Sequence, residues 1–264
     1  MTRITWQRYD RLTAWKQWLG WLFGTLIFLI CWRTIAQKTT WEFVWDAPEQ
    51  ASQLIGRMFP PQWSYLNQLW QPLWDTVNIA TLGTMLGVMI AFPICWLAAR
   101  NTTPHPAIRM MALFMIVVSR SINSLIWALL LVAIIGPGVL AGIVAIGLRS
   151  IGFLGKLFYE AIEETDQKPI EAITATGASP LQILGYGILP QVLPTFAGVS
   201  IFRWDINIRE STVIGLVGAG GLGIRLNSAV NSLQWSQASV IFAVILVTVL
   251  LSEWVSSVLR RRII

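Results

Sequence analysis

Charge is the first thing this chain is short of. Only 12% of its 264 residues are Asp, Glu, Lys or Arg, about half the share found in soluble globular domains. Histidine occurs once, at His105 between two prolines, and cannot build a metal cluster or a catalytic triad. The two cysteines, Cys31 and Cys95, lie far apart inside apolar runs. They form neither a disulfide framework nor a Cys-x-x-Cys site, and read as small apolar helix residues. No His-Glu-x-x-His occurs. Gly155-Lys156 resembles a P-loop ending, but Ser150 stands where the earlier glycine belongs and Leu157 where the magnesium-binding hydroxyl belongs. These gaps argue against a metalloenzyme, a triad hydrolase or an ATPase, and no cofactor is expected. A net charge of +6 invites a nucleic-acid reading. The basic residues, however, sit at the ends of apolar runs instead of along one face, so no nucleic-acid partner is expected.

What is abundant is apolar sequence, 55% of the chain. A spanning helix needs roughly 20 mostly apolar residues. Six segments qualify: 18–36, 73–98, 109–135, 138–160, 188–208 and 237–258. The first, from Trp18, lacks a small-x-small cleavage site and reads as a retained span in the lipid bilayer. Gly136-Pro137-Gly138 separates the third from the fourth. The expected fold class is an all-α integral membrane protein with six transmembrane helices. Arg3, Arg8, Arg11 and Lys16, then Arg100 and Arg109, then Arg260-Arg261-Arg262 all fall on one side of six spans. The opposite loop, 37–72, holds only Lys38 and Arg57 against Glu42, Asp46 and Glu49. The positive-inside rule therefore predicts cytoplasmic N- and C-termini.

Trp15, Trp18 and Trp21 suit one membrane boundary, and Trp63, Trp70 and Trp74 the other. Gly83 and Gly87 form a small-xxx-small pair for close helix packing, read as packing within one subunit. In the outer loop, Asp46-x-x-Glu49 resembles a capping box with Pro48 in the first turn. Ala51, Leu54, Ile55, Met58 and Phe59 follow at helical spacing, predicting an amphipathic helix on the outer membrane surface. Residues 1–71 thus read as an N-terminal helix with an outer loop, and 72–264 as the core.

Gly218-Ala219-Gly220-Gly221-Leu222-Gly223 matches G-x-G-x-x-G letter by letter. The dinucleotide mechanism also needs a preceding strand and an acid about 20 residues on. The next acid is Glu253, inside the last span. Gly218, Gly220, Gly221 and Gly223 instead suit irregular, closely packed backbone, as in a gate or re-entrant segment.

The stretch 166–185 carries the clearest local design. Asp166 caps a helix that tolerates Pro169, Gly177 ends it, and Ser179-Pro180 opens a second. Ile170 and Ile173 share a face, predicting an apolar knob for a partner's groove. Glu171-Ala172, Gly177 and Leu189-Pro190 resemble the EAA coupling motif of ABC importer permeases, with Ile173 and Gly187 as departures. Ser119-Arg120-Ser121-Ile122, Gly155 to Ala161, Arg203 to Arg209 and Gly215 to Gly221 narrow the resemblance to permeases of phosphonate-type importers, over roughly residues 72–258. That resemblance implies a type I ABC importer permease of a bacterial inner membrane, translocating phosphonate or a related phosphorus oxyanion such as phosphite by alternating access. It implies a homodimer, cytoplasmic ABC ATPase subunits docking on the Glu171–Gly177 segment, and a periplasmic phosphonate- or phosphite-type binding protein. A permease for methionine or another oxyanion is the near alternative; a channel or scaffold is the alternative of another class.

Charges inside spans cost roughly 2.5–3.5 kcal/mol on insertion scales, so each demands a partner or a wet cavity. Arg120 and Arg149 fall near the middle of their predicted spans, and Arg203, Asp205, Arg209 and Glu210 follow in the fifth. Asp205 and Arg209, four apart, are placed to pair. Guanidinium suits phosphate-like groups, so these residues are candidates for the translocation path. The alternative is structural ion pairing between helices, involving Glu210.

Overall fold

The computed structural model describes residues 11–263. Arg3 and Arg8, whose charges bear on the orientation, lie outside the described residues. The chain divides into a compact unit ending at Gly56 and a second beginning at Arg57.

The first unit holds α1 (Arg11–Lys38) and most of α2 (Trp41–Met58). Helix α1 is apolar on every face, the pattern of a membrane span. The capping expectation for α2 fails. The helix starts at Trp41, and Pro48 sits inside it. Phe43 N–H donates to the Thr40 carbonyl (3.2 Å) and Trp41 Nε1 to the Ala36 carbonyl (3.1 Å), so the turn after α1 already starts the helix. Glu42, Asp46, Glu49, Gln53 and Arg57 lie on one side and Val44, Ala51, Ile55 and Met58 on the other, with Leu54 at the edge; Phe59, expected on the apolar face, lies beyond the helix end.

The second unit is built around α3 (Leu66–Ala98) packed on α6 (Val139–Glu163). Gly83 and Gly87 set that contact. A Cβ on Gly87 would lie 2.5 Å from Ser150 Cβ, and one on Gly83 2.7 Å from Ile146 Cγ2. The small-residue pair therefore works within one chain. The predicted span 109–135 is not one helix. It is α4 (Pro106–Ser121) and α5 (Ser124–Ile135), bent by 87°. Asn123 causes the break: its side chain accepts from Leu125 N–H (3.1 Å) as an N-cap, an alternative to continuing the helix. Ser119 Oγ donates to the Leu148 carbonyl and accepts from Gly152 N–H (2.9 Å), threading a hydroxyl into the backbone ladder of α6.

After α7 (Gln167–Ala175) and the single turn α8 (Pro180–Gln182), a π-helical segment, Ile183–Ile188, runs straight into α9 (Leu189–Gly215). The second helix expected at Ser179 is thus the start of one long, locally widened helix. The widening sits just before Pro190, which lacks an N–H and crowds the carbonyl four residues back. Helix α10 (Gly221–Asn231) is short, and α11 (Trp235–Ile263) closes the chain. Among the described residues five helices are long and apolar enough to cross a membrane, and the bent α4–α5 pair makes a sixth if it forms one span. No strand occurs among the described residues, so the glycine-rich segment lacks the element a dinucleotide fingerprint requires.

Candidate functional site

Two regions gather the residues singled out above. The first is the segment around α7. Asp166 accepts from Lys168 N–H (3.1 Å), as its capping role predicts. Gly177 takes φ +77°, the left-handed stop that glycine adopts freely. Gln182 accepts from Ser179 N–H (2.8 Å). The expected knob, however, points the other way. Ile170 and Ile173 lie over the chain's own Gly187, each 3.5 Å from where its Cβ would stand. Ile170 also joins the apolar cluster of Ile162, Ile188 and Val192. Burial within the chain outcompetes display, because an apolar stripe on a short helix lowers free energy at the nearest apolar surface. The exposed face carries Glu171, Ala172, Ala175 and Gly177, and Pro190 is exposed while Leu189 is half-buried. Leu181 and Tyr186 stand out beside it.

One residue that sequence reasoning missed holds this segment. Gln191 accepts from Asp166 N–H (3.0 Å) and donates to the Asp166 carbonyl (3.3 Å) and the Gly187 carbonyl (2.7 Å). It joins the first residue of the arm to the root of α9. At the same end, Glu163 accepts from Arg100 N–H (2.8 Å) and pairs with Arg109 (3.6 Å).

The second region is a charged cluster halfway along α6 and α9. Arg203 is 2% exposed. Its Nε donates to Ser150 Oγ (3.1 Å), its Nη2 meets Glu210 Oε2 (3.3 Å), and its guanidinium lies 5.0 Å from the centre of the Phe153 ring. Arg149 reaches the other oxygen of the same carboxylate, Nε to Oε1 at 3.4 Å. Asn207 donates to Thr84 (2.7 Å) and Ser150 (3.1 Å), while its buried Oδ1 has no partner among the described residues. Asp205 and Arg209 pair as their spacing predicts (2.5 Å), and Asp205 also accepts from Ser252 (2.7 Å). Arg149 and Arg203 therefore have partners, but from other turns or another helix. Arg120 does not share the cluster. It is exposed at the end of α4 beside the Asn123 break and makes no ion pair among the described residues. Ser150 and Asn207 were missed. Arg203, Asn207 and Glu210 recur at helical spacing, which was the legible signal for Asn207; Ser150 had none.

The glycine-rich segment forms a packed turn between α9 and α10. Gly218, Gly220 and Gly221 have φ of +94°, +92° and +73°. The Gly218 carbonyl accepts from Gly138 N–H (3.0 Å), and Leu222 N–H donates to Thr76 Oγ1 (2.9 Å). A Cβ on Gly223 would fall 2.1 Å from the Thr212 carbonyl oxygen. This turn thus ties α3, α6, α9 and α10 together. Two grooves over α9, between α3 and α11, are lined by apolar and hydroxyl side chains such as Met85, Trp204 and Val255, with no charged residue. They offer an anion nothing.

Long helices packed through glycines, a broken span, and a capped arm leading into a proline-bearing helix make up this fold, which is that of type I ABC importer permeases. Solved permeases share it. The methionine transporter MetNI in an inward-facing form superposes with a TM-score of 0.64, at 22% identity over 74% of this chain and 96% of that chain. An amino acid ABC transporter gives 0.64, at 20% identity over 75% and 95%. The chain belongs to the family of binding-protein-dependent transport system inner membrane components, which matches residues 83–264. Among curated relatives, it is 39% identical to the phosphite transport system permease protein PtxC of Stutzerimonas stutzeri, over 91% of this chain and 86% of that protein. It is 40% identical to the phosphate-import permease protein PhnE of Mycolicibacterium smegmatis, over 82% of this chain but 41% of that longer protein. The chain is thus a multi-pass inner-membrane permease subunit of an ABC importer, and permease subunits of this kind are not themselves enzymes.

Proposed function

We propose that this permease imports a phosphorus oxyanion, phosphite or a phosphonate, with the Arg149–Arg203–Glu210 cluster on its path. The observation that carries the reading is a cluster of two arginines against one carboxylate, net +1, midway along two spans. Such a charge is expensive at membrane depth unless it serves an anion or a wet cavity. The names of the PtxC and PhnE relatives point to the same ligand chemistry. Arg149, half-buried, is the side chain with access; the Glu210 carboxylate links it to the buried Arg203; Arg209 and Asp205 form a neutral pair alongside.

Two copies form the conduit, each supplying six spans, with both termini in the cytoplasm. Cytoplasmic ATPase subunits dock on the exposed face of α7, and Gly177 lets the chain turn back beneath it. ATP hydrolysis belongs to those subunits. A periplasmic binding protein delivers the oxyanion to the opposite side, where the Gly218–Gly223 turn lies at the mouth. The test is uptake of radiolabelled phosphite, methylphosphonate and methionine into proteoliposomes holding permease, ATPase and binding protein. ATP-dependent accumulation of a phosphorus oxyanion is expected. Accumulation of methionine alone would overturn the substrate reading.

A further inference from the structure

Resting on that reading, we infer that Glu210 is a built-in placeholder: its carboxylate occupies the oxyanion position between Arg149 and Arg203 and is displaced when cargo arrives. Three observations carry this. The carboxylate is shared, one oxygen to each guanidinium, at 3.4 and 3.3 Å. Charge-assisted contacts normally close to about 2.7–2.9 Å. The carboxylate is therefore stretched between two cations and held tightly by neither. The second observation is charge. Two guanidiniums against one carboxylate leave one positive charge unbalanced, so an incoming dianion neutralises the pair better than Glu210 does. Each guanidinium also has five N–H donors, and among the described residues only Arg149 Nε, Arg203 Nε and Arg203 Nη2 are engaged with side chains. A tetrahedral oxyanion has more acceptor oxygens than a carboxylate and satisfies both forks at once.

The third observation is asymmetry of freedom. Arg203 is fixed by Ser150 and the Phe153 ring, with 3% of its side chain exposed, while Arg149 and Glu210 retain 29% and 19%. Glu210 can swing away without dismantling the helix contact, because Arg203 keeps its Ser150 bond. An empty conduit thus carries its own counter-ion, which suppresses capture of small anions. Cargo delivered at high local concentration displaces it.

Purified permease–ATPase complex, without binding protein, provides the test. Thermal stability is followed against added sodium phosphite and inorganic phosphate, with chloride at matched ionic strength as control. Glu210→Gln removes the competing charge and is expected to lower the half-saturating phosphite or phosphate concentration at least tenfold relative to the unmutated complex. Glu210→Asp, which keeps the charge but shortens its reach, should fall between the two. Adding Arg149→Gln to Glu210→Gln should abolish the shift. The proposal is overturned if Glu210→Gln and Glu210→Asp respond no more strongly than the unmutated complex, if chloride matches the oxyanions, or if the response survives loss of Arg149. Uptake by the unmutated complex is read separately, so an importer of another solute is distinguished from a failed placeholder.

Discussion

Replacing Gly152 by alanine should damage this permease more than the same change three residues later. In the structure α4 crosses α6 so closely that a Cβ on Gly152 would lie 2.6 Å from both Arg120 N and Ile116 O. These are backbone atoms and cannot rotate away. Restoring an ordinary contact near 3.4 Å requires α4 to retreat by about 0.8 Å. Overpacking of this kind costs roughly 1–3 kcal/mol, opposed by up to about 1 kcal/mol of improved helix propensity. The net loss, roughly 1–2 kcal/mol, corresponds to about 2–8 °C in melting temperature for a unit of this size. At Gly155 the obstacle is Ile116 Cγ1 at 3.1 Å and Cδ1 at 3.3 Å, the end of a side chain that can shift. Gly155→Ala should therefore be near neutral. Retreat of α4 also withdraws Ser119 from Leu148 and Gly152, one turn from Arg149, so uptake should fall with stability at Gly152 alone. Thermal unfolding of the detergent-purified protein and uptake in proteoliposomes measure both. The reasoning is refuted if Gly152→Ala melts at or above the unmutated protein, or if Gly155→Ala proves the more harmful.

Gln191→Ala removes three hydrogen bonds, two of which tie Asp166 to the root of α9, each worth about 0.5–1.5 kcal/mol; solute moved per ATP hydrolysed should drop while ATPase activity persists, and an unchanged ratio would show that Gln191 does not couple the two. Helix α2 should lie along the outer membrane surface, since its polar and apolar residues divide into two faces and short linkers join it to the spans on either side. With Cys31 and Cys95 replaced by alanine, single cysteines at Glu42, Asp46, Glu49 and Gln53 should react with an impermeant maleimide added outside, and those at Val44, Ala51, Ile55 and Met58 should resist. Uniform reactivity along the helix would count against that placement.

Hydropathy and capping chemistry made much of this protein legible without coordinates. A span announces itself by length and apolarity, because the bilayer offers backbone groups no partner outside the helix. The stops at Gly136-Pro137-Gly138 and Gly177, and the cap at Asp166, are local choices made by residues within a turn of one another. The Asp205–Arg209 pair was equally local. Contacts between distant segments were not legible. Asn123 broke a span that hydropathy carried straight through: its side chain caps α5, and Ser119 ties the end of α4 to α6. Ile170 and Ile173 were correctly placed on one face of α7, but only the folded chain set Gly187 beneath that face and turned the stripe inward. That arginines lie in the spans follows from the order of residues alone. That Arg149 and Arg203 share one carboxylate, while Arg120 stands apart, was decided by the packing of α9 on α6, where a buried charge takes whichever partner the neighbouring helix supplies.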